Sequence, residues 1–320
     1  MKKSLVLTAI AATLAAPAFA QSSVTIYGRL NLSVESTKVA GADKRDWQEV
    51  DNSSRIGFAG EEDLGGGNKA IFKIEHGFDA STGTVKGDRF WGRESTVGLA
   101  TRYGTVKLGN LDNNEAYHAT ADYVSWVNHD TGTTSDFLYR GPNYYGSLQN
   151  AVSYNTPDLN GFVGWVQTAE AYGGEKSKPL ALAGYYDRGA LHLGAGFDKH
   201  GDDKATTVRA NYDLGAFGVG GYFSHTTGSY EFNTWRLVGM YTLGANEFHL
   251  NYGGTNSVKV NDVDQGKAWQ VTAGYNYNLS KRTKVYAFVT KVKDTEDNGS
   301  TGAFAGGTFN TFGAGIRHNF

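Results

Sequence analysis

The sequence predicts an all-β fold: sixteen antiparallel strands closed into a barrel whose apolar side chains point outward. Three observations predict it: strict apolar–polar alternation in runs of about ten residues, turn-forming stretches between those runs, and no helical apolar stripe beyond the first twenty residues. In VTIYGRLNLSVE the even positions Val24, Ile26, Gly28, Leu30, Leu32 and Val34 are apolar or Gly. The odd positions are Thr25, Tyr27, Arg29, Asn31, Ser33 and Glu35. Period-two alternation gives a strand one greasy and one wet face. Gly accounts for 43 residues, Pro for 4 and aromatics for 13%, a balance that suits strands joined by tight turns.

The chain opens MKKSLVLTAIAATLAAPAFA, with a basic Lys2-Lys3 start, an apolar run and an Ala18-Phe19-Ala20 cleavage site. Residues 1–20 therefore read as a secretory signal peptide and residues 21–320 as the mature domain. Gln21 rather than Cys follows the cut, so no lipid anchor is implied. Cleavage takes the formal net charge from −2 to −4, too near balance to suggest a nucleic-acid partner. Cysteine is absent although the leader sends the chain to an oxidising compartment, so closure must come from the backbone rather than disulfides.

Taken in order, the turns are EEDLGGGN, TRYG, NTPDLNG, DRGA, DLGAFG, TLGAN and NLSKRT, each between two alternating runs. Longer polar pieces are expected around 36–50, 79–89, 111–148, 169–178, 197–204, 225–231, 253–267 and 292–307. Seven short turns on one side, eight long loops on the other and an even strand number match a transmembrane barrel. The mean hydropathy of −0.42 does not oppose this, because a barrel wall places only every second residue against lipid. Closure also pairs every backbone N–H and C=O, each of which would cost several kcal/mol unpaired in hydrocarbon.

Direction follows from cost. Arg29 on the lipid side near the midplane would cost about 2–4 kcal/mol, so the polar parity must face water inside. By the same rule Ile56 and Phe58 point out with Arg55 in, Phe72 and Ile74 out with Lys73 and Glu75 in, and Val208 and Ala210 out with Arg209 in. Runs 284–290 and 161–169 carry apolar residues on both parities and stay ambiguous. Tyr154, Phe162, Tyr186, Tyr212, Phe217, Tyr241, Phe248 and Tyr277 lie beside the short turns, as an interfacial girdle requires. Beside the turns of the first five strands stand Val24, Gly60, Ala70, Leu99 and Val106, none aromatic, so those strands are expected to face other copies of the chain.

Longer stretches carry a resemblance. VTIYGRL after a leader ending AFAQSS, SSRIGFAGEEDLGGGNKAIFKIEHGF, STVGLATRYGTVKLG, NAVSYNTPDLNGF, NYNLSKRTKVYAF and the terminal FGAGIRHNF together resemble the betaproteobacterial, neisserial-type Gram-negative general porins. The resemblance covers the whole mature chain. It implies an outer-membrane homotrimer of sixteen-stranded barrels passing ions and small hydrophilic solutes, with the third loop folded into the channel. It further implies that terminal Phe320, with Phe312, Ala314, Ile316 and His318 on one face, is read by the barrel-assembly machinery. Ala59, Ser147 and Asn110 stand where the family often has basic residues.

A pore needs only a wet lumen that selects by size and charge. Parity places Arg29, Arg55, Lys73, Lys107, Arg209, Arg236 and Arg317 on the inner wall, with Glu35, Glu61 and Glu75 among the opposing charges. The longest loop, 111–148, carries Asp112, Glu115, Asp122, Asp130 and Asp136 against Arg140 alone. Folded inward, those acids would oppose the basic wall, and their excess leans the channel slightly toward cations. One charge about 5 Å from a passing ion is worth roughly 0.8 kcal/mol in water, so selectivity should be weak and salt-screened. A substrate-specific outer-membrane channel is the second reading.

Enzyme and cofactor readings find little support. The eight His are scattered, and GGGNKA lacks the spacing of a phosphate-binding loop. DTEDNG, at Asp294 to Gly299, has neither the twelfth-position Glu nor the flanking helices of a calcium loop. No catalytic residue, metal or cofactor is expected.

Overall fold

The computed structural model describes residues 23–112, 115–124, 134–139, 148–171, 177–294 and 307–320. Sixteen strands form the wall: β1 (Ser23–Val39), β2 (Arg55–Gly65), β3 (Asn68–Asp79), β4 (Glu94–Thr101), β5 (Gly104–Leu111), β6 (Leu148–Asn155), β7 (Phe162–Ala169) and β8 (Leu180–Arg188). The second half comprises β9 (Leu191–His200), β10 (Asp203–Leu214), β11 (Phe217–Thr227), β12 (Tyr230–Leu243), β13 (Asn246–Thr255), β14 (Ala268–Asn278), β15 (Thr283–Asp294) and β16 (Phe309–Asn319). Each pairs antiparallel with its sequence neighbours. The ring closes where β1 pairs β16 from Arg29↔Asn319 to Val39↔Phe309. Phe320 extends the seam, exchanging backbone hydrogen bonds with Gly28 at 3.1 Å in both directions. Its ring lies over Gly28, where a Cβ would come within 2.3 Å of the Phe320 ring and 2.6 Å of the Arg55 carbonyl.

The barrel is inside out, as the alternation requires. On β1, Val24, Ile26, Leu30 and Val34 are exposed on the outer wall, while Arg29, Asn31, Ser33 and Glu35 are buried within. Phe72, Val97, Val208, Leu237, Leu250 and Ile316 share the outer face. The girdle forms by register: Phe217, Tyr241, Phe248 and Tyr275 are successive cross-strand partners, with ring centroids 4.5, 6.3 and 5.2 Å apart.

Three expected loops are shorter than the sequence suggested. β9 and β10 meet through Gly201 and Asp202, and β11 and β12 through Gly228 and Ser229, so the pieces at 197–204 and 225–231 are hairpins. The strand alternation simply continues through their polar residues, and Gly201 (φ 61°) supplies the left-handed turn. The 36–50 piece is also mostly strand. β1 runs to Val39, and Asp46–Asp51 returns along it in the register Leu32↔Asp51 to Thr37↔Asp46. Polar composition there reflects strands rising above the hydrocarbon, where neither face needs to be apolar.

The two ambiguous runs are resolved by what fills the inside. On β15, Tyr286, Phe288, Thr290 and Val292 turn inward and Val285 and Val289 outward. On β7, Gln167 and Ala169 are buried inside while Phe162 and Val166 are exposed. Both inner faces carry apolar residues because they are covered. Val292 packs with Phe232, Val258 and Phe309, against which Phe137 of the long loop also rests. Ala169 packs with Leu111, Leu148 and Ala151 at that loop's root.

Candidate functional site

The described segments of the long loop between β5 and β6, residues 115–124 and 134–139, lie inside the barrel. From its root it enters a single α-helical turn, Glu115–Tyr117, that widens into a π turn over His118–Asp122. The Glu115 amide donates to Gln167 Oε1 of β7 at 2.8 Å. The helical turn then rests on β9 at two glycines. A Cβ on Gly194 would come within 2.1 Å of the Ala119 carbonyl, and one on Gly196 within 2.6 Å of the Ala116 carbonyl. Only residues without a side chain admit so close a backbone approach. Arg209 of β10 donates through Nε to the Ala119 carbonyl at 2.5 Å, and its guanidinium lies 3.5 Å from the Tyr123 ring centroid.

The far arm is held harder. Arg236 of β12 lies 3.1 Å from Asp136, with both side chains almost sealed from solvent at 2% and 3% exposure. Asp136 also accepts from the Tyr222 hydroxyl and from the Leu138 and Tyr139 amides. Gln270 of β14 accepts from the Phe137 amide at 3.0 Å and donates to the Ser135 carbonyl at 2.8 Å. Thr234 donates to the Leu138 carbonyl. Tyr117, Ala121, Val124, Tyr139, Tyr222 and Val238 pack as one apolar cluster beneath this arm.

The described loop segments lean on strands of β7–β16, and the wall of β1–β5 carries a charged network of its own. There Arg29 donates to Asn319 Oδ1 at 3.4 Å, and Arg317 shares its inward parity. Glu75 gathers Arg93, Arg55 (3.8 Å) and Lys73 (4.0 Å), and accepts from the Tyr27 hydroxyl at 2.8 Å. Glu94 takes Lys73 at 2.7 Å and Lys107 at 3.8 Å. The carboxylates are the hidden partners: Glu75 and Glu94 side chains are 4% and 6% exposed, against 36% for Lys73, 30% for Arg93 and 27% for Lys107.

Of the residues expected from sequence, Arg209, Arg236 and Asp136 are thus anchors of the loop, while Arg55, Lys73, Lys107 and Glu75 stand together on the opposite wall. Glu35 is buried on β1 and accepts from Ser33. Glu61 lies at a turn, 2.7 Å from Lys69. The acids of the loop are not a free row facing the wall. Asp112 lies 3.4 Å from Arg93 and Asp122 is 2.9 Å from His118 Nδ1. Asp130, Arg140 and Ser147 lie outside the described residues. At Asn110 a cation arrives from elsewhere, because Arg89 of the preceding loop donates to Asn110 Oδ1 at 3.0 Å.

Protonation in the loop follows its enclosure. Burial disfavours the charged ring of His118, but its hydrogen bond to Asp122 and the charges of Asp122, Glu115 and Asp112 outweigh it, raising the pKa to about 9. Burial likewise lifts the Asp112 and Glu115 carboxyls, only partly opposed by Arg93 and His118 at Asp112 and by His118 and Lys107 at Glu115. Tyr27, Arg93, Glu94, His118, Gln167 and Gln270 were not singled out from the sequence. Inward parity was the available clue for Tyr27, Glu94, Gln167 and Gln270; none existed for Arg93 and His118, which sit on loops. Among the described residues no three His, Asp or Glu side chains are grouped to hold a metal ion.

A closed barrel with a greasy exterior, a charged interior and loop segments packed against its inner wall defines a channel-forming outer-membrane protein. Residues 6–298 match the model of the Gram-negative porin family, and the chain belongs to that family. It is 32% identical to outer membrane porin protein 32 of Delftia acidovorans, with both chains covered in full. It is 29% identical, again over the full length of both, to the major outer membrane protein P.IB of Neisseria meningitidis serogroup B. Among solved structures, the anion-selective porin from Comamonas acidovorans superposes with TM-score 0.78 at 27% identity, covering 94% of this chain and 100% of that one. Salmonella typhi OmpF, at 15% identity and TM-score 0.72, covers 93% of this chain and 97% of its own and shares the fold. The protein is therefore a porin of the Gram-negative outer membrane, a passive path for ions and small hydrophilic solutes.

Proposed function

We propose that this porin prefers anions weakly, the reverse of the slight cation lean drawn from the loop's composition. The observation that carries this is the asymmetry of exposure on the open wall, where Lys73, Arg93 and Lys107 reach water and their partners Glu75 and Glu94 do not. An ion in the channel therefore meets the positive ends of ion pairs first. Three of the loop acids that favoured cations, Asp136, Asp122 and Asp112, are paired with Arg236, His118 and Arg93. The solved anion-selective relative is consistent with this sign. Because each exposed charge is worth only about 1 kcal/mol in water, the bias is small and fades with salt. The test is the zero-current potential of a planar bilayer separating unequal KCl solutions. A modest anion-signed potential that shrinks at high salt is expected, and a cation-signed potential overturns the proposal.

The same reading includes a homotrimer joined through β1–β5, whose outer face lacks girdle aromatics beside the turns, with lipid around the remaining strands. It also includes removal of residues 1–20 on export, and recognition of the Phe320 end by the barrel-assembly machinery. Phe320 supports the last point by its position, at the seam where the first and last strands meet.

A further inference from the structure

Where the long loop leaves β5, it meets the wall at a cavity of about 240 Å³. On the wall side Lys73 and Lys107 share the single carboxylate of Glu94, at 2.7 and 3.8 Å. Glu75, 4.0 Å from Lys73, is already engaged by Arg93 and Arg55. The wall side thus holds one positive charge in excess. On the loop side Asp112 is paired with Arg93 and His118 with Asp122. The Glu115 carboxylate lines the same cavity with no hydrogen-bond or ion-pair partner among the described residues. Burial holds its pKa above the usual carboxylate range, the mark of a charge that its surroundings under-compensate. An excess cation and an unpaired carboxylate thus line the same cavity.

We propose that this corner is a docking subsite for small zwitterions, α-amino acids being the matching class. The solute carboxylate sits on Lys73 and Lys107 and its ammonium on Glu115. A simple anion would satisfy the lysines and be repelled by Glu115. A simple cation would meet the converse, so only a molecule carrying both charges gains at both ends. The volume lies just below the roughly 300–1,000 Å³ of pockets for drug-sized ligands, which restricts occupancy to small solutes. A channel subsite must also release what it binds, so the affinity belongs in the millimolar range.

The inference rests on the barrel being an open diffusion channel, and one experiment separates the two claims. The full-length protein is reconstituted into liposomes and initial influx is measured against concentration for labelled L-serine, mannitol, lactate and ethanolamine. Influx of mannitol reports the channel itself, and its absence undoes that reading. L-serine influx is expected to saturate in the millimolar range and to be inhibited by glycine but not by an equimolar mixture of lactate and ethanolamine, while mannitol influx rises linearly. Glu115→Gln and Lys107→Gln, checked for folding by heat-modifiable gel migration, are each expected to raise the half-saturation concentration about tenfold. Lys69→Gln, at an exposed turn, should leave it unchanged. Linear L-serine influx in the unmodified protein, equal inhibition by the lactate–ethanolamine mixture, or saturation unaltered in both folded variants overturns the proposal.

Discussion

Arg236 and Asp136 show what a charge demands inside this barrel. Their side chains are nearly sealed, 3.1 Å apart, and Asp136 is further satisfied by a hydroxyl and two amides. Removing one partner of such a pair is costly because the other is left buried and unpaired. Arg236→Ala should therefore destabilise the folded protein by about 3–5 kcal/mol, read as a lower denaturant midpoint in detergent, and Arg236→Met with Asp136→Leu should recover most of the loss. His118 yields a pH prediction. Its folded pKa of about 9 lies above the ordinary value of 6.5, so its pairing with Asp122 contributes fully below pH 6.5 and is lost as pH rises through about 9. Open-channel current noise should accordingly grow between neutral and strongly alkaline pH as the loop loosens, and Asp122→Asn should flatten that dependence. From the sequence Asp136 and Arg236 could be named but not joined, since nothing in residues a hundred positions apart records that they touch.

At the scale of elements, strand parity was the most legible feature. Outer Leu237 and inner Arg236 are adjacent on β12, and the burial of one against the exposure of the other follows the alternation. Leu237→Arg should cost about 2–4 kcal/mol, measured by equilibrium folding into lipid vesicles. β7 and β15 were illegible for a specific reason: Ala169 and Val292 are apolar yet inward because the loop and its neighbours cover them, and Phe288 is buried beside Tyr286. The loop's own seat depends on absent side chains. Gly194→Val would drive a side chain into the Ala119 carbonyl, so it should displace the helical turn while sparing the wall. A changed single-channel conductance with unchanged heat-modifiable migration is the expected outcome.

For the whole molecule, closure through the β1–β16 seam explains how a chain without cysteine and with formal charge near balance holds a pore open. Every strand edge is paired, and the lumen is kept wet by charges that find partners across strands. Lys73→Gln combined with Lys107→Gln removes two of the exposed cations, so it should move the zero-current potential in a KCl gradient toward cations, by an amount that falls as salt rises. The trimer proposed for the aromatic-poor β1–β5 face should appear as conductance steps in threes and as a threefold mass in mild detergent.

The sequence by itself determined the barrel, its inside-out polarity, its strand number and the seven short turns, because lipid imposes one rule on every second residue and local alternation records it. Only the tertiary structure decided which loops are hairpins, which charges meet, and the sign the lumen presents to a passing ion. Those depend on how a long loop lies across distant strands, and a Coulomb interaction is set by distance and exposure rather than by position along the chain.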